Sequence, residues 1–235
     1  MLNIKGNIVT TGAVFGLRRR LLILLMSAVF GILVPAVVFA GAFDDYFKAV
    51  KRDDADAVKS LLRRGLDPNL VDENRGDSGV ILALREGSMT VFDTLLQASG
   101  TDLELKARNG DTALMIAAYK GNKPAVEALL ARKVEVNRPG WTALHYAAAS
   151  GSNDIVQLLL DRSAAIDARS PNKTTPLMMA AQGGHILTVK LLLEAGADAM
   201  LKNDANLTAI DFARNVDRQD IADGLAYRLK KAGKL

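Results

Sequence analysis

Apolar residues in this chain recur in short helical runs that come in pairs. In "GWTALHYAAASGSNDIVQLLLDRSAAID" an alanine-rich first run is broken by Gly151, and Ile155, Val156, Leu159 and Leu160 then return at helical spacing. The same order appears in "GDTALMIAAYKGNKPAVEALLARKVEVN" and "KTTPLMMAAQGGHILTVKLLLEAGADAM". It is weaker in "NLTAIDFARNVDRQDIADGLAYRLKK" and, upstream, in "GDSGVILALREGSMTVFDTLLQASGTDLEL" and "DDYFKAVKRDDADAVKSLLRRGLDPNL". The first core apolar positions are Tyr46, Val80, Leu114, Leu144, Leu177 and Ile210, so successive steps are 34, 34, 30, 33 and 33 residues. A period of this size marks an array of stacked units, none of which can bury its apolar face alone.

Punctuation within each unit agrees with two helices. Ser78, Thr112, Thr142, Thr175 and Thr208 stand where a side-chain oxygen can cap the first helix. Pro176 follows at a first helical position, where its missing N–H costs nothing. Gly87, Gly121, Gly151 and Gly184 are placed to break the chain between the helices in a left-handed conformation, and Gly65 and Gly196 to end second helices. Asp53 and Asp217 take the mid-unit glycine position in the outermost units. Six units are predicted, at about 43–75, 76–109, 110–139, 140–172, 173–205 and 206–235.

These residues resemble the ankyrin repeat family. "TALHYAAASG" and "TTPLMMAAQGGH…LLLEAGAD" carry the resemblance most specifically, and the outer units diverge as capping repeats do. The resemblance implies an all-α repeat solenoid, paired antiparallel helices joined by extended finger loops, that works as a non-enzymatic protein–protein interaction module. It also implies that the fingers and first helices line one concave binding surface. Helix positions two, five and six residues after the first core apolar residue face that surface in the family. Here they include Leu82 and Arg85, Ile116 and Tyr119, Tyr146, Met179 and Gln182, and Phe212.

Leu82, Ile116, Tyr146, Met179 and Phe212 form an apolar row, which reads either as a contact stripe or as side chains half-buried between helices. The short step from Leu114 to Leu144 predicts a clipped finger at "NRPG", where Pro139 and Gly140 suit a tight turn. Trp141, the one tryptophan of the chain, stands at the base of that notch, set against either the next finger or a partner. The candidate partner-binding residues are therefore Leu82, Arg85, Ile116, Tyr119, Trp141, Tyr146, Met179, Gln182 and Phe212.

Charge alters the picture at one end only. Lys5, Arg18, Arg19 and Arg20 are the charged residues of positions 1–40; the remaining 26 basic residues balance 26 acidic ones. The basic pI near 9.3 thus belongs to the N-terminal segment, and no clustered surplus for neutralising phosphates is left, so nucleic acid is not an expected partner. "LRRR" followed by the uncharged run "LLILLMSAVFGILV" reads as a signal peptide over 1–40, with small-residue cleavage sites after Ala40 or Ala42. The alternative is an uncleaved membrane anchor from Leu21 to Ala40. Both readings export the repeats, and a bacterial periplasm is the expected destination. Similarity to exported bacterial ankyrin proteins implies roles such as supporting a periplasmic enzyme or neutralising a toxin as an immunity partner. The module is expected to be a monomer.

Catalytic and cofactor chemistry find little to stand on. There is no cysteine, and the two histidines, His145 and His185, lie in different units without convergent partners. The resemblance implies a structural His145, bonded across its turn to the threonine and nearby backbone. No nucleophile elbow or phosphate-cradling glycine loop is present, so neither enzyme activity nor a cofactor is expected.

Overall fold

The computed structural model describes residues 36–234, with side chains from residue 41. Residues 1–35 of the predicted leader lie outside the described residues. The described residues form twelve α-helices and one isolated bridge between Val71 and Ser78. Among them no helix is long and apolar enough to cross a membrane. Among the described residues, those from Tyr46 onward form one compact unit that holds the repeats.

The helices fall into six pairs. They are α1 (Ala36–Lys51) and α2 (Ala55–Arg63); α3 (Gly79–Glu86) and α4 (Met89–Gln97); α5 (Ala113–Tyr119) and α6 (Lys123–Ala131). Then come α7 (Ala143–Ser150) and α8 (Asn153–Asp161); α9 (Pro176–Gln182) and α10 (Ile186–Glu194); α11 (Ala209–Arg214) and α12 (Gln219–Lys231). Helix α1 starts at Ala36, seven residues before the expected start of the repeats at Phe43.

The third unit shows why the sequence folds this way. Thr112 is extended (φ −104°, ψ 166°), and its hydroxyl accepts the Met115 N–H at 3.3 Å, capping α5. Strong helix formers carry the run to Tyr119, and Gly121 at φ 66° then turns the chain back. Asn122 caps α6 through Ala125 N–H at 3.1 Å, with Pro124 in the first turn. Ala125, Val126, Leu129 and Leu130 point inward from α6, and each large aliphatic side chain so buried contributes about 1.5–3 kcal/mol.

The six predicted core positions are all buried, from Tyr46 through Ile210. From α3 to α11 each first helix packs on the first helix of the next repeat, so the core runs continuously through the array. Tyr46 fixes the first step, its ring lying so near Gly79 that a Cβ there would fall 2.0 Å from the phenol oxygen. Asp53 and Asp217, the two glycine replacements, both adopt φ 57° and so reproduce the left-handed turn. Ser78, Thr112 and Thr175 cap as expected; at Thr142 and Thr208 the backbone N–H also donates forward, to His145 Nδ1 and Asp211 Oδ2.

Candidate binding surface

The expected apolar stripe is not a continuous exposed surface. Leu82 and Ile116 are buried, at 4% and 3% exposure, which corrects their assignment as contact residues. Tyr146, Met179 and Phe212 are half-buried. In α3 and α5, set between neighbouring repeats, Gly79–Leu84 and Ala113–Ala118 are enclosed and only the last turn reaches solvent. Tyr119, at 54% exposure, and Gln182 lie in that last turn and are open. Tyr119 meets Tyr146 edge-to-face, with ring centroids 6.1 Å apart.

Arg85 is half-buried, and its guanidinium is engaged within the array. Nε lies 2.9 Å from Asp77 Oδ2 and Nη2 lies 2.8 Å from Asp111 Oδ2. Asp111 also accepts from Asn109 Nδ2 at 2.8 Å and from the hydroxyl of Tyr146. Four side chains from three successive repeats, at 77, 85, 111 and 146, are thereby tied together. Burial pushes Asp77 above the usual carboxylate range, although Arg85 opposes it. Burial also acts upward on Asp111, but the donors of Tyr146, Asn109 and Arg85 hold it below that range. The Tyr146 phenol is raised by burial and by its carboxylate partner.

Trp141 occupies the position before the cap threonine, where the two preceding repeats carry Asp77 and Asp111. It is half-buried, and its ring stands edge-on to His145 at a centroid distance of 5.2 Å. His145 is fully buried; Nδ1 accepts the Thr142 N–H at 3.2 Å and Nε2 donates to the Thr174 carbonyl at 2.9 Å. Burial pushes its pKa down to about 4, so the ring is neutral and joins two repeats. His185 ties the same two together a second time, through Nε2 and the Ala149 carbonyl at 3.0 Å.

The clipped finger, residues 136–142, differs from its neighbours in hydrogen bonding. Elsewhere the Arg108 N–H reaches the Arg75 carbonyl at 2.9 Å and the Asp204 N–H reaches Asn172 at 3.0 Å, linking finger to finger. Among the described residues no such backbone bond joins the clipped finger to either neighbour. On one side the reason is covalent: Pro171, aligned with Arg108 and Asp204, has no N–H. Arg138 braces the finger from below, 2.5 Å from Glu104 and 3.1 Å from Glu135.

A polar ladder that the sequence reading missed runs beneath the fingers. Side chains of Asn69, Glu104, Asn137 and Asp167 accept backbone N–H groups of Asp102, Glu135, Ala165 and Asp198, at 2.7, 2.6, 2.8 and 3.1 Å. Asn69 and Asn137 also donate back, to Gly100 and Ser163. One polar residue closing each second-helix loop was the available signal. Among the described residues no three potential metal ligands converge.

Comparison with known proteins agrees with this geometry. Profiles described as ankyrin repeats match residues 47–138, 80–170 and 161–213. The chain is 32% identical over 160 residues to human "Transient receptor potential cation channel subfamily A member 1", covering 63% of this chain and 14% of that protein. It is 29% identical over 206 residues to the chicken "Nuclear factor NF-kappa-B p105 subunit", covering 76% and 21%. It is 32% identical over 180 residues to the mouse "B-cell lymphoma 3 protein homolog", covering 74% and 40%. The chain thus spans less than half the length of each. With every core position of the repeat buried in register and the profiles matching from residue 47 to 213, this chain belongs to the ankyrin repeat family.

Proposed function

We propose that this chain, a member of a family of protein–protein interaction modules, is exported and binds a protein partner without catalysis or cofactor. Its contact surface is the finger side of the array and the exposed last turns of the first helices. The observation that carries this reading is Tyr119: a large aromatic left 54% exposed beside the Arg85–Asp111–Tyr146 network, which fixes the surrounding backbone. A contact surface already held in shape loses less freedom on association, and exposed aromatics suit protein interfaces. Formal neutrality of residues 41–235 argues against a nucleic-acid role.

The test is affinity capture with the full-length chain, comparing wild type with a Tyr119→Ala/Gln182→Ala variant and an outer-helix control, Gln157→Ala. Loss of captured partners in the first variant alone is expected; identical capture by all three would refute the surface. Export is tested by N-terminal sequencing of the exported product, expected to begin at Gly41 or Phe43. A membrane-tethered scaffold is the second reading, favoured by α1 running helical through both cleavage positions. An exported protein that keeps residues 1–40 would establish it.

A further inference from the structure

Charge on the central fingers is one-sided. Residues 105–112, 136–142 and 168–175 carry Lys106, Arg108, Arg138, Arg169 and Lys173 against one acid, Asp111, which is buried. Arg138 is matched by Glu104 and Glu135, and Lys173 by Asp204 at 2.6 Å. Lys106, Arg108 and Arg169 form no such ion pair and are all exposed, although the Asp167 carboxylate lies near Arg169. The two arginines are held in place by neighbouring fingers: Arg108 Nη1 donates to the Asn74 carbonyl at 2.8 Å and Arg169 Nη2 to the Lys202 carbonyl at 3.1 Å. A single tether leaves most donors of each guanidinium fork for a ligand. Their fingers stand on either side of the clipped one, where the finger-to-finger backbone bonds are missing and Trp141 is half-exposed.

Resting on the protein-binding reading above, we propose that the clipped finger, shorter than its neighbours, forms the floor of a docking notch for an extended, acidic segment of another protein. Carboxylates of the segment engage Arg108 and Arg169, and a bulky apolar side chain between them sits against Trp141. Charge complementarity selects the acidic character. The aromatic base selects a polypeptide with an apolar anchor, since an anion alone has no use for it. A tethered guanidinium also engages a carboxylate at reduced ordering cost, because its rotamer is already fixed.

Trp141 is the sole tryptophan, so its emission reports occupancy of the notch directly. The full-length chain is titrated with short peptides: Asp/Glu-rich with a central Leu, the same with a central Ala, and a Lys-rich counterpart. A single-stranded oligonucleotide is the fourth probe. The Leu-centred acidic peptide is expected to shift the emission and to bind more tightly than its Ala form. Arg108→Ala/Arg169→Ala is expected to weaken it by about 10-fold or more, while Arg63→Ala/Arg64→Ala on α2 leaves it unchanged. Equal circular dichroism spectra confirm that both variants fold. No emission shift, indifference to the Arg108/Arg169 substitutions, or tighter binding of the Lys-rich peptide or the oligonucleotide overturns the proposal.

A peptide-display selection against the full-length chain separates this inference from the broader reading. Acid-rich binders that shift Trp141 emission support the notch. Binders lost on Tyr119→Ala/Gln182→Ala that lack acids and leave the emission unchanged overturn the notch alone. Binders indifferent to every finger-side substitution overturn both.

Discussion

Asp53 caps a helix that belongs to the next repeat: its Oδ1 accepts the Val91 N–H of α4 at 2.8 Å, across 38 residues of chain. Ser88, at the N-cap of α4, makes no side-chain capping bond of its own. Thr90 completes the clasp, its N–H meeting Asp53 Oδ2 at 3.4 Å and its hydroxyl the Asp53 carbonyl at 3.1 Å. Desolvation acts upward on this carboxylate, but the bonds from Val91 and Thr90 hold it below its ordinary range.

Asp53→Ala is therefore expected to destabilise the array by about 2 kcal/mol, combining a lost cap with a left-handed backbone that alanine dislikes. Asp53→Gly removes the cap but relaxes φ, and is expected to cost less than the alanine form. Urea midpoints of the two variants check the order.

His145 makes stability depend on acidity. Its pKa is about 4 in the folded chain against an ordinary 6.5, so between those values the unfolded chain binds the extra proton. This contribution is complete above pH 6.5 and is lost as pH falls through the window toward 4. The full shift corresponds to roughly 3 kcal/mol. His145→Gln is expected to be less stable at pH 7 yet to show a flatter stability profile between pH 6.5 and 4, read from urea midpoints across that range.

The Arg85 network is expected to act as a unit. Tyr146→Phe removes one bond to Asp111 and should cost about 1–2 kcal/mol. Arg85→Ala leaves two carboxylates without their cation and should cost about 2–4 kcal/mol. In a double-mutant cycle the pair is expected to show coupling above about 0.5 kcal/mol; additive losses would mean that Asp111 does not join the two side chains energetically.

Within the apolar row, burial sets the stability cost. Leu82→Ala and Ile116→Ala should each lose about 2–4 kcal/mol through cavity formation. Tyr119→Ala, from an exposed position, should lose within about 0.5 kcal/mol. Thermal unfolding of the three variants separates the classes.

The repeat phase, the cap residues and the two aspartates in glycine positions were legible because each rests on neighbours within one unit. Leu82 and Ile116 were misplaced because their burial depends on helices about 30 residues away, which periodicity within a unit does not reveal. The ion pairs of Arg85 were hidden for the same reason: Asp111 joins Asp77 beside it only after the next repeat stacks. The clipped finger was visible as a short step from Leu114 to Leu144, but not the ladder of Asn69, Glu104, Asn137 and Asp167 beneath it. Those residues look like ordinary loop polar groups until the next repeat's N–H arrives.

The interrupted row of fingers has a mechanical consequence. At the fourth repeat the first helices stay tightly packed from α5 through α9, while the fingers above them lack a backbone rivet on either side. Such a joint is stiff along one edge and compliant along the other. Bending strain imposed on the array concentrates there, as it does at the one uncut hinge of a stack of riveted plates. Pro171 removes the rivet on one side of that joint, so a single missing N–H opens half of the compliant edge.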